Sequence, residues 1–322
     1  MLFLCLLKKL MFGNAQTCGT GTGSLSNRNL EIREPNMPMR NASPYQNRLL
    51  AVLGAAEFGR LAPHLELVVL AQGDVLYHCG GKLTHVYFPT TAIVSIQYEL
   101  EDGGALEIAS VGNEGGLGIS LFMGGATTPN RAIVHSGGYG YRLRAGLLLE
   151  EFHRKGALFD LLLRYTQALM TQMSQTAVCN SHHSTVQRLC RWLLQTLDHS
   201  RTSELVVTQE ALGTILGVRR EGITEAAGRL QTLGLISCRR GHIRVLTRDG
   251  LERHVCECYD VIRRESARLL APAPPPEARP AYWQKRNDTR TRRTGRVERR
   301  SQPPHDDDAV VLDDAQFLFI FP

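Results

Sequence analysis

The stretch VTQEALGTILGVRREGITEAAGRLQTLGLI, Val207 to Ile236, constrains this chain more than any other. Ala211, Leu212, Ile215 and Leu216 repeat at helical spacing behind Thr208, a side chain suited to N-capping, and Gly217 supplies the left-handed residue that ends a helix. A second helix starts at once, near Val218 or Arg219, with Ile223, Ala226, Ala227 and Leu230 on its inner face. Two short helices about a tight turn make a helix-turn-helix. Gly222 weakens the second helix by about 1 kcal/mol relative to Ala. The following SCRRGHIRVL has branched residues at Ile243 and Val245 about a turn at Arg240-Gly241, which predicts a basic hairpin, a wing.

The outward side chains carry the chemistry. Arg219, Arg220, Glu221, Thr224, Glu225 and Arg229 point away from the apolar face, Thr208 and Gln209 open the first helix, and Arg239, Arg240 and Arg244 lie on the wing. Arg pairs bidentately with guanine and Glu accepts from cytosine N4, while a helix N-terminus favours phosphate. A protein-docking helix would expose apolar groups at the same positions. The competing reading, a ligand-binding or signalling module whose helix-turn-helix makes protein contacts, is thus the weaker.

The 322 residues leave room for two domains and tails, and 43% hydrophobic with 21% charged residues is an ordinary globular balance. A net charge of +6 permits a nucleic-acid partner without requiring one. The N-terminal MLFLCLLKKLMFG is too short to span a bilayer and has its lysines on the wrong side for a secretory signal, so no membrane and a cytoplasmic location are expected. No GxSxG, HExxH or phosphate-cradling GxxxxGK stands in a fitting context, and the chain is not expected to be an enzyme or to carry a cofactor.

The eight cysteines show no paired CxxC spacing and read as reduced thiols. Cys256 and Cys258, two apart in an expected C-terminal helix, should point to different sides, which argues against a shared metal. Cys179, His182, His183 and Cys190 form a Cys/His-rich neighbourhood whose default reading is satisfied helix residues, and no metal is expected.

Period-two patterns in LELVVLAQGDVLYHCG, THVYFPTTAIVSIQYEL, GALEIASVG and RAIVHSGGYGYRL predict an antiparallel barrel or jelly roll of about eight strands before Leu143, preceded by a short helix from Asn47 to Phe58. Leu158, Leu162, Tyr165, Leu169, Gln172, Thr176 and Cys179 then alternate at spacings of four and three, a seam of about three heptads suited to pairing with a second subunit. A helix from Gly250 to Leu270 is expected to close the chain's last domain. The expected organisation is α+β: a disordered leader at 1–44, a β-barrel at 45–156, a dimerisation helix at 157–183, a winged helix-turn-helix at 184–270 and a disordered tail at 271–322.

This order of parts, with HVYFPTTAIVSI, VGNEGGLG, CNSHH, RLCRWLL, the helix-turn-helix, RGHIRVLTRDGLE and CECYDVIRRE in sequence, resembles the Crp/Fnr family of bacterial transcription regulators over about residues 47 to 270. The resemblance implies a homodimer on double-stranded DNA, with half-sites about 34 Å apart, and RNA polymerase as a further partner. It also matches Arg220 and Glu221 to the family's base-reading pair, while Glu225 stands where cyclic-AMP-responsive members have Arg. The family's cyclic-nucleotide pocket maps onto Gly115, Gly116, Asn130 and Arg131, where the ribose-binding Glu is missing and the Arg falls one place late. Cyclic AMP is therefore not the expected effector, whose identity stays open. The N-terminal cysteine cluster of Fnr-like oxygen sensors is lacking too, and no iron-sulfur cluster is expected.

Overall fold

Asn47 fixes the first turn of helix. In the computed structural model, which describes residues 42–101, 104–199 and 203–271, its Oδ1 accepts from the N–H groups of Leu49 and Leu50 at the start of Arg48–Ala51 (α1). Its Nδ2 donates to the carbonyls of Pro89 and Gly115 at 2.9 and 2.7 Å. One fully buried amide thus caps a helix and ties two loops together, satisfying groups that would otherwise be costly to bury. The helix expected over 47–58 is divided: Gly54 is extended and serves as N-cap to a second helix, Ala55–Leu61 (α2). The leader and tail expectations fall outside the described residues, apart from their edges.

Seven strands run up to Arg144 among the described residues, one fewer than expected. They are Glu66–Leu70 (β1), Val75–Tyr77 (β2), His85–Pro89 (β3), Ile93–Glu99 (β4), Ala105–Val111 (β5), Arg131–Ser136 (β6) and Gly138–Arg144 (β7), with a single turn of helix, Ile119–Phe122 (α3), before β6. They form two antiparallel sheets, β1-β7-β3 and β2-β6-β4-β5, in the manner of a jelly roll, and no ladder among the described residues closes them into a barrel. Alternation puts Val86, Phe88, Tyr141 and Leu143 from one sheet and Val94, Ile96, Ala132 and Val134 from the other into one core.

Ala145–His153 (α4) leads to the long helix Ala157–His182 (α5). Here the heptad reading is corrected. Leu158, Leu162, Tyr165 and Leu169 are buried in the core of their own chain's sheets. Tyr165 donates its hydroxyl proton to the Gly116 carbonyl at 2.8 Å, and Gln172 Nε2 donates to the Ser110 carbonyl at 3.1 Å. A four-three pattern identifies a buried stripe, and here the chain itself covers it. The outward stripe of α5 exposes Leu163, Met170 and Val178 instead, at 46%, 57% and 43%.

Beyond a break at Ser184 come Thr185–His199 (α6), Glu204–Val206 (β8), Gln209–Leu216 (α7), Arg220–Thr232 (α8), Ile236–Arg239 (β9), His242–Val245 (β10), Arg248–His254 (α9) and Glu257–Leu270 (α10). They have their own core, centred on Leu189, Leu193, Leu212, Leu216, Ile223 and Leu230. Two features depart from the sequence reading. The wing hairpin gains a third strand, in the order β8-β10-β9, and the expected helix from Gly250 onward is two helices, because Cys256 is extended and N-caps α10. Arg248 joins the pieces, its Nη2 donating to Asp198 Oδ1 and to the Tyr259 hydroxyl oxygen, both at 2.6 Å. This domain rests on the β2-β6-β4-β5 sheet: Trp192 meets His135 edge-on at 5.1 Å, and Leu106 lies under Gly217. No helix of the described residues is long and apolar enough to cross a membrane.

Candidate nucleic-acid interface

The turn between α7 and α8 is built from the residues that its sequence pattern singled out. Thr208 Oγ1 accepts from Ala211 N–H at 3.1 Å and caps α7, while Gly217 ends it at φ 59° and ψ 42°. A Cβ at Gly213 would stand 2.9 Å from the Val218 carbonyl oxygen, so a glycine lets the chain fold back tightly. Gly217→Ala, which forces a side chain into left-handed backbone, is expected to cost about 1 to 2 kcal/mol. A lower urea midpoint at unchanged slope would record it.

Helix α8 begins one residue later than expected, with Arg219 as its extended N-cap and no side-chain capping bond to its first N–H groups. Ile223, Ala226, Ala227 and Leu230 are buried, as the periodicity requires. Arg219, Arg220, Glu221, Thr224, Glu225 and Arg229 are all exposed. Thr224 Oγ1 lies 3.0 Å from both Gln209 Oε1 and the Arg220 carbonyl, so its single proton serves one acceptor at a time. When the proton goes to Gln209, the helix behind it orients that amide.

At the wing, Arg240 and Gly241 have φ of 48° and 81°, the paired positive values of the tight hairpin turn that matches strand twist. Arg239 and Arg240 are exposed at its tip. Thr208, Gln209, Arg220, Arg239 and Arg240 line one groove of about 550 Å³ between the two helices and the wing. The sequence did not single out Gln231, whose Oε1 accepts from Cys238 N–H at 2.8 Å and fastens β9 to α8. An exposed glutamine gives no sequence signal for that role.

Most exposed arginines elsewhere in the domain are ion-paired, Arg253 being the exception among the described residues. Arg244, expected along a phosphate backbone, instead pairs with Glu204 at 3.2 Å across the unforeseen third strand. Arg248, Arg263, Arg264 and Arg268 are paired too. Among the described residues, Arg219, Arg220, Arg229, Arg239 and Arg240 make no ion pair, and their full charge faces solvent.

The four effector-pocket candidates are not gathered in the same way. Gly115 and Gly116 lie under the long helix, where a Cβ on Gly115 would stand 2.5 Å from the Tyr165 hydroxyl. Arg131, at the start of the interior strand β6, is engaged by Gln97 and Glu99, and Asn130 beside it is half-buried. A separate cavity of about 510 Å³ opens where the sheets, α5, α6 and α10 meet, lined by Arg48, Glu114, Gln195, His199 and Tyr259 among others. None of the four candidates borders it.

Two short helices about a glycine turn, packed against a sheet whose hairpin projects beside the second helix, constitute a winged helix-turn-helix. Residues 187–254, from α6 to the end of α9, match the family model of the Crp-like helix-turn-helix domain. No curated protein sequence matches the chain. Among solved structures, FixK2 from Bradyrhizobium japonicum is 14% identical, with a TM-score of 0.50 over 60% of this chain and 98% of that one. A CRP-family transcriptional regulator from Thermus thermophilus is 17% identical, with a TM-score of 0.48 over 59% and 95%. The c-di-GMP-responsive global regulator CLP of Xanthomonas campestris is 17% identical, with a TM-score of 0.47 over 60% and 100%. At these identities the likeness is one of fold. Residues 187–254 thus form a Crp-like helix-turn-helix domain, and the two-sheet domain and long helix that precede it share the fold of FixK2.

Proposed function

We propose that this chain is a sequence-specific DNA-binding transcription regulator that acts as a homodimer on a two-fold symmetric operator. The observation that supports it best is the set of unpaired arginines around the groove between α8 and the wing. Exposed cations cost little in water and gain from each phosphate they neutralise, with release of counterions. The N-terminal turn of α8 enters the major groove, Arg220 addresses guanine and Glu221 cytosine, while Arg239 and Arg240 follow the backbone. Arg219 and Arg229 add charge at either end of the helix, and Thr208, Gln209, Thr224 and Glu225 complete the contact surface. The second copy docks on the exposed stripe of α5, since the seam first expected there is covered. RNA polymerase is a further partner of such a regulator, and the effector is not cyclic AMP.

Selection of duplexes from a random pool, at moderate salt and without nucleotide, is expected to return a symmetric site with half-sites about one helical turn apart. On that site Arg220→Ala is expected to lose about 1 to 3 kcal/mol, concentrated at one base pair. Arg240→Ala is expected to weaken all sequences alike and to reduce the salt slope by about one. An Arg220→Ala variant with the wild-type base preference would remove the recognition assignment. Salt-independent binding would favour the protein-contact reading.

A further inference from the structure

We propose that Cys179, His183, Cys256 and Cys258 form a metal site, a mononuclear tetrahedral centre for zinc that staples the long helix to the DNA-binding domain. Their four ligand atoms all lie within 4.8 Å of one another. Cys179 Sγ is 3.6 Å from Cys256 Sγ, and Cys258 Sγ is 3.6 Å from His183 Nδ1. A tetrahedron with Zn–S of about 2.3 Å and Zn–N of about 2.0 Å has edges of about 3.5 to 3.8 Å, so the two 3.6 Å pairs already match and the widest pair, at up to 4.8 Å, closes by about 1 Å around one ion. The thiols are free, well beyond the about 2.05 Å of a disulfide. The four ligands of an iron-sulfur cluster are divided among two or more irons, so that some pairs stand further apart than any of these do.

The backbone explains why the constellation was not legible from spacing. His183 is the extended C-cap of α5, and its N–H donates to the Cys179 carbonyl at 3.1 Å, which sets the two residues side by side. Cys256 and Cys258 would diverge within a helix, but Cys256 is the extended N-cap of α10 and only Cys258 is helical, so both reach the same point. His182 and Cys190, the other members of the neighbourhood noted in the sequence, are not in the group.

The surroundings fit a resident cation. His183 Nε2 lies 3.3 Å from Glu257 Oε1, an arrangement in which the outer nitrogen donates to a carboxylate and Nδ1 keeps its lone pair for the ion. The three cysteines are buried and His183 is half-buried, so an ion there would be largely shielded from competing ligands. Three thiolates on a divalent ion leave one negative charge, and buried Arg191, bonded to Thr176 and Gln195 but with an unpartnered Nε, stands beside Cys179 to balance it. On binding, the three S–H protons pass to solvent and no redox step is involved. Soft thiolates with one imidazole select zinc over magnesium or calcium. The ion would bridge Ser184, the break between the two domains.

The test uses the full-length chain without a histidine tag, purified anaerobically from zinc-replete cells. One zinc per chain is expected by elemental analysis. Replacement by Co²⁺ should give the visible bands and thiolate charge-transfer absorption of a tetrahedral thiolate site. Cys256→Ser and Cys258→Ser should lose the spectrum, whereas Cys79→Ser and Cys238→Ser, outside the group, should keep it. Glu257→Gln, at an exposed position that leaves the fold intact, should weaken Co²⁺ binding by about tenfold or more. The proposal is overturned if the reduced chain takes up no stoichiometric metal, whether its thiols stay free or Cys179 and Cys256 join as a disulfide. It is equally overturned if the spectrum survives Cys258→Ser in protein whose circular dichroism is native. No DNA enters the assay, so the result stands apart from the regulatory function.

Discussion

Leu163→Glu combined with Met170→Glu is expected to leave the chain folded but monomeric, and to weaken binding to a symmetric operator about 10² to 10⁴-fold. Both side chains are exposed on α5, at 46% and 57%, and neither belongs to the core that the helix shares with its sheets. Their replacement therefore leaves the buried core intact. In a two-fold pairing of α5 with its copy, each carboxylate would approach its own symmetry mate, and like charges brought together out of water repel strongly. Loss of affinity follows because two linked half-sites bind with the product of their affinities, corrected by an effective concentration, while a monomer has only one. Light scattering measures the first effect and duplex titration the second. A variant that remains dimeric and binds like wild type would move the interface elsewhere.

The same helix shows how far a heptad pattern can be read. Spacing reports which face of a helix is apolar, and Leu158, Leu162, Tyr165 and Leu169 are indeed buried. It does not report what covers them, since the chain's own sheet and a second subunit present the same chemistry. The helix-turn-helix was legible for the opposite reason. Its signals, from the Thr208 cap through the Gly217 stop to the run from Ile223 to Leu230, are local, and the structure places every one of them as the periodicity required. Features that depend on residues far apart were missed. Strand β8 is three residues long and exists only because β10, nearly forty residues on, pairs with it, which in turn diverts Arg244 to Glu204. The approach of Cys256 and Cys258 to Cys179 turns on one extended residue at a helix start. The likeness to the Crp/Fnr family named Gly115 and Gly116 by position, but it did not show that Tyr165 would occupy the space beside them.

Glu114→Gln is expected to destabilise the chain by about 3 kcal/mol near pH 6 and to flatten its stability between pH 6 and pH 9. Glu114 belongs to the two-sheet domain, in the turn after β5, and His199 is the last residue of α6. The imidazole Nδ1 lies 2.6 Å from Glu114 Oε2, with side-chain exposures of only 12% and 17% for His and Glu. Burial pushes the Glu114 carboxyl up, but the His199 charge and hydrogen bond, with the Gly112 N–H, outweigh it and hold the group below its ordinary 4.5. Burial likewise pulls His199 down, and Glu114, with Asp198, carries it above its ordinary 6.5. The carboxylate's contribution is therefore present above pH 4.5 and lost as pH falls through its lowered folded value. The imidazolium's is present below pH 6.5 and lost as pH rises through its raised folded value. Both are complete only between those limits, and the pair weakens on the alkaline side. Because one partner comes from each domain, the loss should loosen the seating of α6 on the sheet as well as lower the urea midpoint. Gly112 supports the same contact, since a Cβ there would lie 2.5 Å from the His199 Cβ. Urea midpoints at pH 6, 7, 8 and 9 for both proteins decide the matter: parallel curves would show that the pair contributes nothing that titrates, while a wild-type curve falling onto that of Glu114→Gln as the pH rises would establish a proton-sensitive latch between the two domains.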